Sequence, residues 1–309
     1  MSNIIITGGS GFVGKCLFNF FCNKKEILVN ISRFPKRGEI SYKQMGMEVW
    51  NKSKFCIHLA GNNHHIKKVI KEIEYFEVNT ELTKKLFDQF LESTCETFIY
   101  MSSVKAAADE VVGVLDESVI PAPATAYGKS KLAAEEYILN QKLAEGKRVY
   151  ILRPCMIHGP GNKGNLNLLY NFVSKGIPYP FGAYQNQRSF LSVENLCFVI
   201  KELIENKGIP SGVYNIADDI PLSTKEVVIV IGEVVGKPSK ILNTPKGLVN
   251  LITKVGDFLS LPINSERVQK LTENYCVSNA KIKRVIGKEF PLSAKEGLRK
   301  TIRSFGENL

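Results

Sequence analysis

Three side chains near the middle of the chain have the types and spacing needed to pass a proton to or from a carbonyl or alcohol oxygen. Tyr127 and Lys131 are four residues apart, so on a helix both lie on one face. An ammonium beside a phenol favours the phenolate, and we therefore expect a lowered pKa for Tyr127. A strand-like run upstream ends in Ser102-Ser103, where a hydroxyl can hydrogen-bond the same substrate oxygen. A solvated surface pair with the same spacing is the alternative.

A glycine-rich turn near the N-terminus has the pattern of a phosphate-binding loop. It carries the spacing T-G-x-x-G-x-x-G between an apolar run and a helical pattern. Glycines allow a tight turn and a close approach of backbone to a pyrophosphate, while the helix N-terminus supplies N–H donors. The alternative is a merely structural turn. We predict that the turn binds a dinucleotide through Gly8, Ser10, Gly11, Phe12, Val13 and Gly14.

The residues after the second apolar run bear on the choice of dinucleotide. An acid at this point holds the ribose hydroxyls of NAD, whereas a nearby arginine accommodates the 2′-phosphate of NADP. This chain has Ser32-Arg33, followed by Lys36 and Arg37, and no acid before Glu39. A hydroxyl and a guanidinium make a suitable phosphate clamp. The sequence therefore favours NADP(H), with NAD(H) possible and a solvated basic loop as the alternative.

Short apolar runs and helical patterns alternate through the first two thirds of the chain. Helical patterns cover 14–23, the region around 82–90 and the stretch after Tyr127, and a capping box of Ser223 and Glu226 starts a later helix. Such alternation indicates an α/β fold, a Rossmann-type doubly wound parallel sheet that binds ligands beyond the carboxyl ends of its strands. The predicted strands are 3–7, 27–31, 55–60, 97–102 and 148–153.

The composition changes after Arg153-Pro154, where Gly and Pro become frequent. This change indicates loops with short elements, and we expect a second, smaller and mainly C-terminal domain beyond it. We expect a dinucleotide-binding domain from 1–153, with 189–217 returning to it, and a substrate-binding domain from 154–188 and 218–309.

Composition and charge exclude several classes of protein. The chain has 309 residues, of which 44% are hydrophobic and 23% charged, which disfavours disorder, collagen and coiled coil. Its seven cysteines are scattered without CxxC spacing, so reduced thiols in a cytoplasmic protein are expected rather than disulfides or zinc. The adjacent His64 and His65 lack a nearby acidic or cysteine partner, and we predict a loop rather than a metal site.

The composition also bears on two possible partners, a membrane and nucleic acid. No run of 18 or more apolar residues occurs, so no membrane span is expected. The net charge of +11 is compatible with nucleic acid, with small anionic substrates or with a solvated surface. Because the basic residues are dispersed and no aromatic-basic stripe stands out, nucleic acid is the least favoured of the three.

Further motifs give the chain a family resemblance. Beside the glycine turn and the Tyr127–Lys131 segment, these are His58-Leu59-Ala60-Gly61, Glu77-Val78-Asn79-Thr80, Ser102-Ser103 and Leu152-Arg153-Pro154. Together they resemble extended short-chain dehydrogenases/reductases of the nucleotide-sugar epimerase/dehydratase group.

The resemblance implies a role for each matched residue. Ser103 would orient the substrate, Tyr127 would be the acid/base, and Lys131 would hold the nicotinamide ribose and tune the tyrosine. A homodimer through paired helices is also implied. The remaining cofactor-binding positions would be Leu59, Ala60, Gly61, Asn79 and Pro154.

The later part of the chain is similar to one subgroup of that family, which acts on UDP-sugars. The segments are 161–165, 178–182, 187–190 and 194–196. The subgroup holds bacterial reductases of UDP-4-keto-6-deoxy-N-acetylhexosamines, which make precursors of surface polysaccharides, beside UDP-glucose 4-epimerase relatives. By this resemblance Asn165 and Leu166 would contact the nucleotide, Phe181 the uracil, and Arg188 and Arg267 the diphosphate, although Arg267 is equally compatible with a solvated helix residue.

Departures from the family pattern narrow the prediction. Related dehydratases have an acidic pair where this chain has Val104-Lys105, which disfavours dehydration. His158 replaces a familiar tyrosine, and we interpret it as a loop residue. Since Ser32-Arg33 suits a consumed NADPH, the favoured activity is reduction of the C4 keto group of a UDP-sugar. The alternatives are a UDP-hexose or UDP-N-acetylhexosamine 4-epimerase that retains NAD, and a non-catalytic dinucleotide-binding regulator.

Overall fold

The architecture is that of a large parallel sheet with helices on both faces. A computed structural model describes residues 3–22, 27–62, 71–162, 164–249, 253, 257 and 265–306, with the backbone alone at 265–267 and 270. The described strands are β1 (Asn3–Thr7), β2 (Ile27–Ser32), β3 (Ile40–Ser41), β4 (Ser53–His58), β5 (Thr97–Met101), β6 (Val114–Leu115), β7 (Arg148–Pro154), β8 (Met156–His158), β9 (Phe190–Ser192), β10 (Gly212–Ile216) and β11 (Cys276–Val277).

Helices connect most of these strands. One of them is preceded by a π-helical segment, Phe76–Glu81, and a 3-10 turn, Val104–Ala106, follows β5. The described α-helices are α1 (Phe12–Phe21), α2 (Met47–Asn51), α3 (Glu72–Tyr75), α4 (Leu82–Glu92), α5 (Ala126–Leu139), α6 (Asn165–Ser174), α7 (Val193–Glu205), α8 (Thr224–Val235), α9 (Ser265–Thr272), α10 (Ala280–Ile286) and α11 (Ala294–Gly306).

Seven strands form the large sheet in the order β10-β7-β5-β4-β1-β2-β3, and all of its pairs are parallel. Helices cover both faces of the sheet, so β5 is buried along its whole length and β1 is buried except at Asn3, as expected for a parallel sheet. The predicted α/β class with a doubly wound sheet is confirmed. Two-stranded pairs β6-β11 and β8-β9 lie outside the large sheet.

Alternate residues of the strands feed two different cores. Ile4 and Ile6 pack in a cluster with α1, α7 and α10, whereas Ile5 packs in a cluster with α2, α4 and α5. A third cluster joins α6, α8 and α11 around Tyr179 and Phe181. The two sheet cores fix the helices that carry the predicted site residues against the carboxyl ends of β1, β4, β5 and β7.

The predicted elements differ from the observed ones mainly at their ends. The first helix starts at Phe12 rather than at residue 14, and the third predicted strand covers Ser53–His58 rather than 55–60. The capping box of Ser223 and Glu226 is present at the start of α8. Strand β10 pairs with β7, while the division into two domains stays a prediction. None of the described helices combines the length and the apolar character that crossing a membrane requires.

Candidate active site

The glycine turn forms a cradle that admits backbone only. Gly8 has a φ of +71°, and a Cβ on it would lie 2.7 Å from the backbone nitrogen of Ala60. A Cβ on Gly14 would lie 2.6 Å from the carbonyl oxygen of Gly9. Gly11 is the N-cap of α1, so the open N–H groups of that helix face the turn. The residues present therefore fit the pyrophosphate of a dinucleotide, which needs close backbone approach and a helix N-terminus.

The segment after β4 borders this cradle. The backbone nitrogens of Leu59 and Ala60 donate to the carbonyl and hydroxyl oxygens of Thr7, at 3.1 and 3.2 Å. The buried Asn79 side chain holds the next residues, because its Oδ1 accepts from the backbone nitrogen of Asn62 and its Nδ2 donates to the Asn62 carbonyl. Asn79 lies in the π-helical segment, a feature frequent at functional sites.

Ser103 and Tyr127 meet just beyond the end of β5. The Ser103 side chain lies close enough to the Tyr127 hydroxyl to interact with it, and this interaction acts to lower the Tyr127 pKa. Tyr127 lies in the first turn of α5, whose N-cap is Thr125. The Asp109 carboxylate fixes this helix start by accepting from the Thr125 backbone nitrogen and hydroxyl, both at 3.0 Å. The structure thus brings together the hydroxyl and the phenol predicted from the sequence.

Lys131 lies one turn further along α5 and is buried. Its Nζ donates to the Met101 carbonyl at 2.8 Å and lies 4.9 Å from the centroid of the Tyr100 ring. A Cβ on Gly61 would lie 3.0 Å from this Nζ and 3.0 Å from Oδ1 of Asn79. The ammonium therefore sits where the segment after β4, the π-helical segment and α5 converge.

The expected lowering of the Tyr127 pKa is wrong. Burial raises the pKa of Tyr127, the hydrogen bond with Ser103 opposes this, and the nearby Tyr75 adds to it. Burial also lowers the pKa of Lys131 to about 8, and the negative charge of the Glu135 carboxylate opposes this lowering. The physical reason is that the phenol and the ammonium are both desolvated, while the ammonium donates to a backbone carbonyl.

Sequence reasoning missed the contacts that two aromatic residues make beside the site. The Tyr75 ring packs edge-on against Tyr127, with centroids 6.1 Å apart. His58 is fully buried between the hydroxyls of Thr7, at 2.6 Å, and Thr83, at 2.9 Å. Burial lowers the pKa of His58 to about 3, and the charge of Lys131 acts in the same direction. His58 belongs to a matched motif, but the contacts of both residues join separate elements, so no local sequence signal reveals them.

The residues predicted to choose the dinucleotide lie at the end of β2. The Ser32 hydroxyl accepts from the Phe34 backbone nitrogen at 3.3 Å, and the exposed Arg33 guanidinium lies 5.7 Å from the Phe34 ring centroid. Glu39, which the sequence placed further along, folds back so that its carboxylate accepts from the Asn30 side chain on β2 at 2.7 Å. A basic and an acidic side chain therefore both lie near this strand.

The predicted substrate-binding residues fall in the smaller part of the chain. Asn165 is exposed and opens α6, whereas the Leu166 side chain is buried in the third cluster, so only its backbone is available to a nucleotide. The Phe181 ring is also buried, with the Tyr179 centroid 5.4 Å away. The Arg267 side chain lies outside the described residues.

Arg188 is held between two segments. Its backbone pairs with Leu222, and its guanidinium lies 3.3 Å from the Glu273 carboxylate. Lys105, which stands where dehydratases have an acid, is partly buried beside this group. Its Nζ donates to the Asp109 carbonyl at 2.6 Å and lies 4.1 Å from the Tyr275 ring centroid. Lys105 therefore ties the loop after Ser103 to the C-terminal segment.

The prediction that His158 is a loop residue is wrong. His158 ends strand β8 and is fully buried, with its Nδ1 2.9 Å from the Thr301 hydroxyl and its Nε2 3.8 Å from the Asp218 carboxylate. Its partners come from distant segments, which a local motif does not reveal. His64 and His65 lie outside the described residues. Within the described ranges, no group of three or more His, Cys, Asp or Glu side chains is arranged to hold a metal ion.

The fold and this geometry match a known class of enzyme. The profile of the NAD dependent epimerase/dehydratase family matches residues 4–217. The chain belongs to this family, and it is an NAD(P)-dependent enzyme that modifies nucleotide sugars.

Individual relatives match most of the chain. A UDP-glucose 4-epimerase of Vibrio cholerae is 29% identical, over 98% of this chain and 95% of its own. A GDP-6-deoxy-D-talose 4-dehydrogenase of Aggregatibacter actinomycetemcomitans is 26% identical, over 78% and 90%. Among solved structures, MoeE5 in complex with UDP-glucuronic acid and NAD has a TM-score of 0.76 at 22% identity, with both chains fully covered. Relatives of this chain thus include both an epimerase and a dehydrogenase acting on nucleotide sugars.

Proposed function

We propose that this enzyme uses NADPH to reduce the C4 keto group of a UDP-linked 6-deoxy-N-acetylhexosamine, in the synthesis of surface polysaccharide precursors. The observation that supports the proposal is the interaction between the Ser103 and Tyr127 side chains, which gives a candidate proton donor a second hydroxyl beside it. Val104-Lys105 follow in place of an acidic pair, so the site has no carboxylate there to eliminate water.

The side chains divide the work of the reduction. Ser103 hydrogen-bonds the C4 oxygen and orients it, and Tyr127 gives that oxygen a proton. Because burial raises the pKa of Tyr127, the phenol is protonated at neutral pH and ready to donate. The Lys131 ammonium, held by the Met101 carbonyl, binds the nicotinamide ribose. Bound NADPH supplies the hydride.

The substrate is bound by the part of the chain beyond residue 153. Arg188 binds the diphosphate, for which a planar guanidinium with several donors is suited. We assign the uracil and ribose to the neighbourhood of Phe181 and to the first turn of α6, at Asn165 and the Leu166 backbone. Arg267 would contribute a second charge to the diphosphate.

The choice of cofactor depends on the end of β2. The exposed Arg33 suits a 2′-phosphate, with the Ser32 hydroxyl beside it. The position of the Glu39 carboxylate favours a second candidate function, that of a UDP-hexose 4-epimerase that retains NAD. Its carboxylate contacts Asn30 on β2, where it would repel a phosphate and accept from ribose hydroxyls.

The experiment is a panel of UDP-sugars and UDP-4-keto-sugars with NADPH and NADH, followed by nicotinamide absorbance and by identification of the sugar products. Reduction of a UDP-4-keto-6-deoxy-N-acetylhexosamine with one NADPH consumed per sugar is expected. Interconversion of UDP-hexoses by enzyme that purifies with bound NAD, without net nicotinamide oxidation, would show the epimerase instead.

A pair of matched variants tests the cofactor assignment. Arg33→Ala should raise KM for NADPH by about tenfold or more and leave KM for NADH nearly unchanged, since the lost charge contacts only the 2′-phosphate. Arg37→Ala removes the same charge from the same loop and serves as the control. Equal effects of the two variants on both cofactors would exclude a specific phosphate clamp at Arg33.

A further inference from the structure

Three successive residues at the end of β5 are each held by a residue of α5. The Ser103 side chain interacts with Tyr127 and acts to lower its pKa, and the Met101 carbonyl accepts from Lys131. Between them, the Ser102 hydroxyl donates to the Glu135 carboxylate. The three helix residues are spaced four apart, so they form one row along one face of α5. Glu135 thus extends the row that the predicted catalytic residues Tyr127 and Lys131 form along the helix.

The Glu135 carboxylate also joins the next strand. Arg153 on β7 donates through its Nε to both carboxylate oxygens at 3.0 Å. The exposed fractions of the Glu135 and Arg153 side chains are 0% and 5%. Taking two charges out of water costs free energy, so a buried ion pair of this kind does not in general stabilise a fold. Because Glu135 lies one helical turn from Lys131, the ion pair therefore calls for a functional explanation.

We propose that Glu135, paired with Arg153, is a positioning residue of the active site. Its carboxylate holds Ser102, and through the backbone the adjoining Ser103 hydroxyl, and keeps a negative charge one helical turn from the Lys131 ammonium. The proposal rests on the proposed function for its kinetic test, and it adds a residue that touches neither the sugar nor the dinucleotide.

The charges around Lys131 support a specific role for Glu135. From β4 the buried His58 is neutral, since its pKa is lowered to about 3 by burial, and from β5 the Tyr100 phenol is neutral because burial raises its pKa well above the ordinary value. Tyr127 on α5 is protonated as well. Glu135 is thus the anion that opposes the effect of burial on Lys131, whose pKa is lowered to about 8.

The kinetic experiment is the pH profile of kcat for wild type, Glu135→Gln and Glu135→Asp. Lys131 acts as an ammonium, so activity is lost as the pH rises through its pKa. Removing the carboxylate lowers that pKa, and Glu135→Gln should move the alkaline limb by about one pH unit toward lower pH. Glu135→Asp keeps the charge but withdraws it from Ser102. It should leave the limb in place and lower the plateau of kcat.

Two further variants keep the test decisive. Glu202→Gln removes another buried carboxylate, one paired with Lys201 and Lys288. Glu202 lies on α7, which covers the opposite face of the sheet from α5, so this variant should leave the limb unchanged. If Glu135→Gln does not fold, Ser102→Ala carries the test and should lower kcat several-fold with KM for the cofactor unchanged. An alkaline limb that stays at the wild-type pH in Glu135→Gln, or an unaltered kcat in Ser102→Ala, overturns the proposal.

A direct titration separates this proposal from the proposed function. The pKa of Lys131 is measured from the ¹³Cε chemical shift in lysine-labelled protein, with Lys131→Met providing the assignment, and no sugar is needed. A lower pKa in Glu135→Gln than in wild type supports the role of Glu135 even if no UDP-4-keto-sugar is reduced. An equal pKa in the two proteins contradicts it whatever the substrate.

Discussion

Tyr127 is the residue on which the proton-transfer chemistry depends, and the same helix offers its control. Tyr127→Phe should lower kcat by about 10²–10⁴-fold, the usual contribution of a general acid, while the affinity for the dinucleotide is retained. Tyr137→Phe removes a hydroxyl from the other end of α5, where it donates to Asp88, and should leave kcat unchanged. Steady-state kinetics and a fluorescence titration of the cofactor measure the two effects.

The same pair of variants tests the non-catalytic alternative. A regulator that only binds the dinucleotide would show no turnover in wild type and no difference between the two phenylalanine variants. Turnover that survives in Tyr127→Phe at the wild-type rate would mean that another group supplies the proton.

His58 makes the stability of the fold depend on pH. Its folded pKa of about 3 lies below the ordinary value of 6.5, so between these values the unfolded chain binds a proton that the folded chain does not. Stability is therefore lost as the pH falls from about 6.5 toward 3, with a slope of up to about 1.4 kcal/mol per pH unit from this group. His58→Gln should show a shallower slope in urea unfolding across that window. An identical slope in the two proteins would mean that His58 does not titrate on unfolding.

At the scale of elements, the turn between β1 and α1 permits a test that separates backbone strain from crowding. Gly8 and Gly113 have nearly equal φ, 71° and 76°, but a Cβ would crowd Ala60 at Gly8 and meet nothing within 4 Å at Gly113. Gly113→Ala should cost about 1–2 kcal/mol in unfolding free energy with cofactor binding intact. Gly8→Ala should cost more and also abolish dinucleotide binding. Unimpaired binding by Gly8→Ala would place the pyrophosphate elsewhere.

The elements that the sequence predicted are those with a local signal. The five predicted strands are short apolar runs, and the start of α8 carries its own capping box at Ser223 and Glu226. Their ends shifted by one or two residues because hydrogen bonding across the sheet, rather than composition, decides where a strand stops. The spacing of Tyr127 and Lys131 likewise needed only the period of a helix.

The contacts that escaped prediction join residues far apart in the chain. Glu135 and Arg153 meet because α5 lies against β5 and β7, and Lys105 reaches Tyr275 from the opposite end of the sequence. His158 likewise contacts Thr301, which is distant from it in the sequence. The lowered pKa expected for Tyr127 failed for a related reason, since it counted the neighbouring charge but not the burial that tertiary packing imposes.

At the scale of the whole molecule, assembly stays a prediction from the family resemblance. A homodimer would pair helices of two copies, and sedimentation at several protein concentrations measures its presence. A mass of one chain, 34.5 kDa, at all concentrations would exclude it.

The net charge of +11 makes a prediction about substrate capture. A UDP-sugar and a dinucleotide are both anions, so a positive protein attracts them over distances that salt shortens, to about 10 Å at 0.1 M. Raising NaCl from about 20 to 500 mM should therefore lower kcat/KM several-fold and change kcat little, because screening weakens the encounter more than the chemistry within the buried site. Sucrose at equal osmolality serves as the control and should have no such effect. A kcat/KM independent of salt would mean that the excess charge is dispersed over the surface and does not act on the substrate.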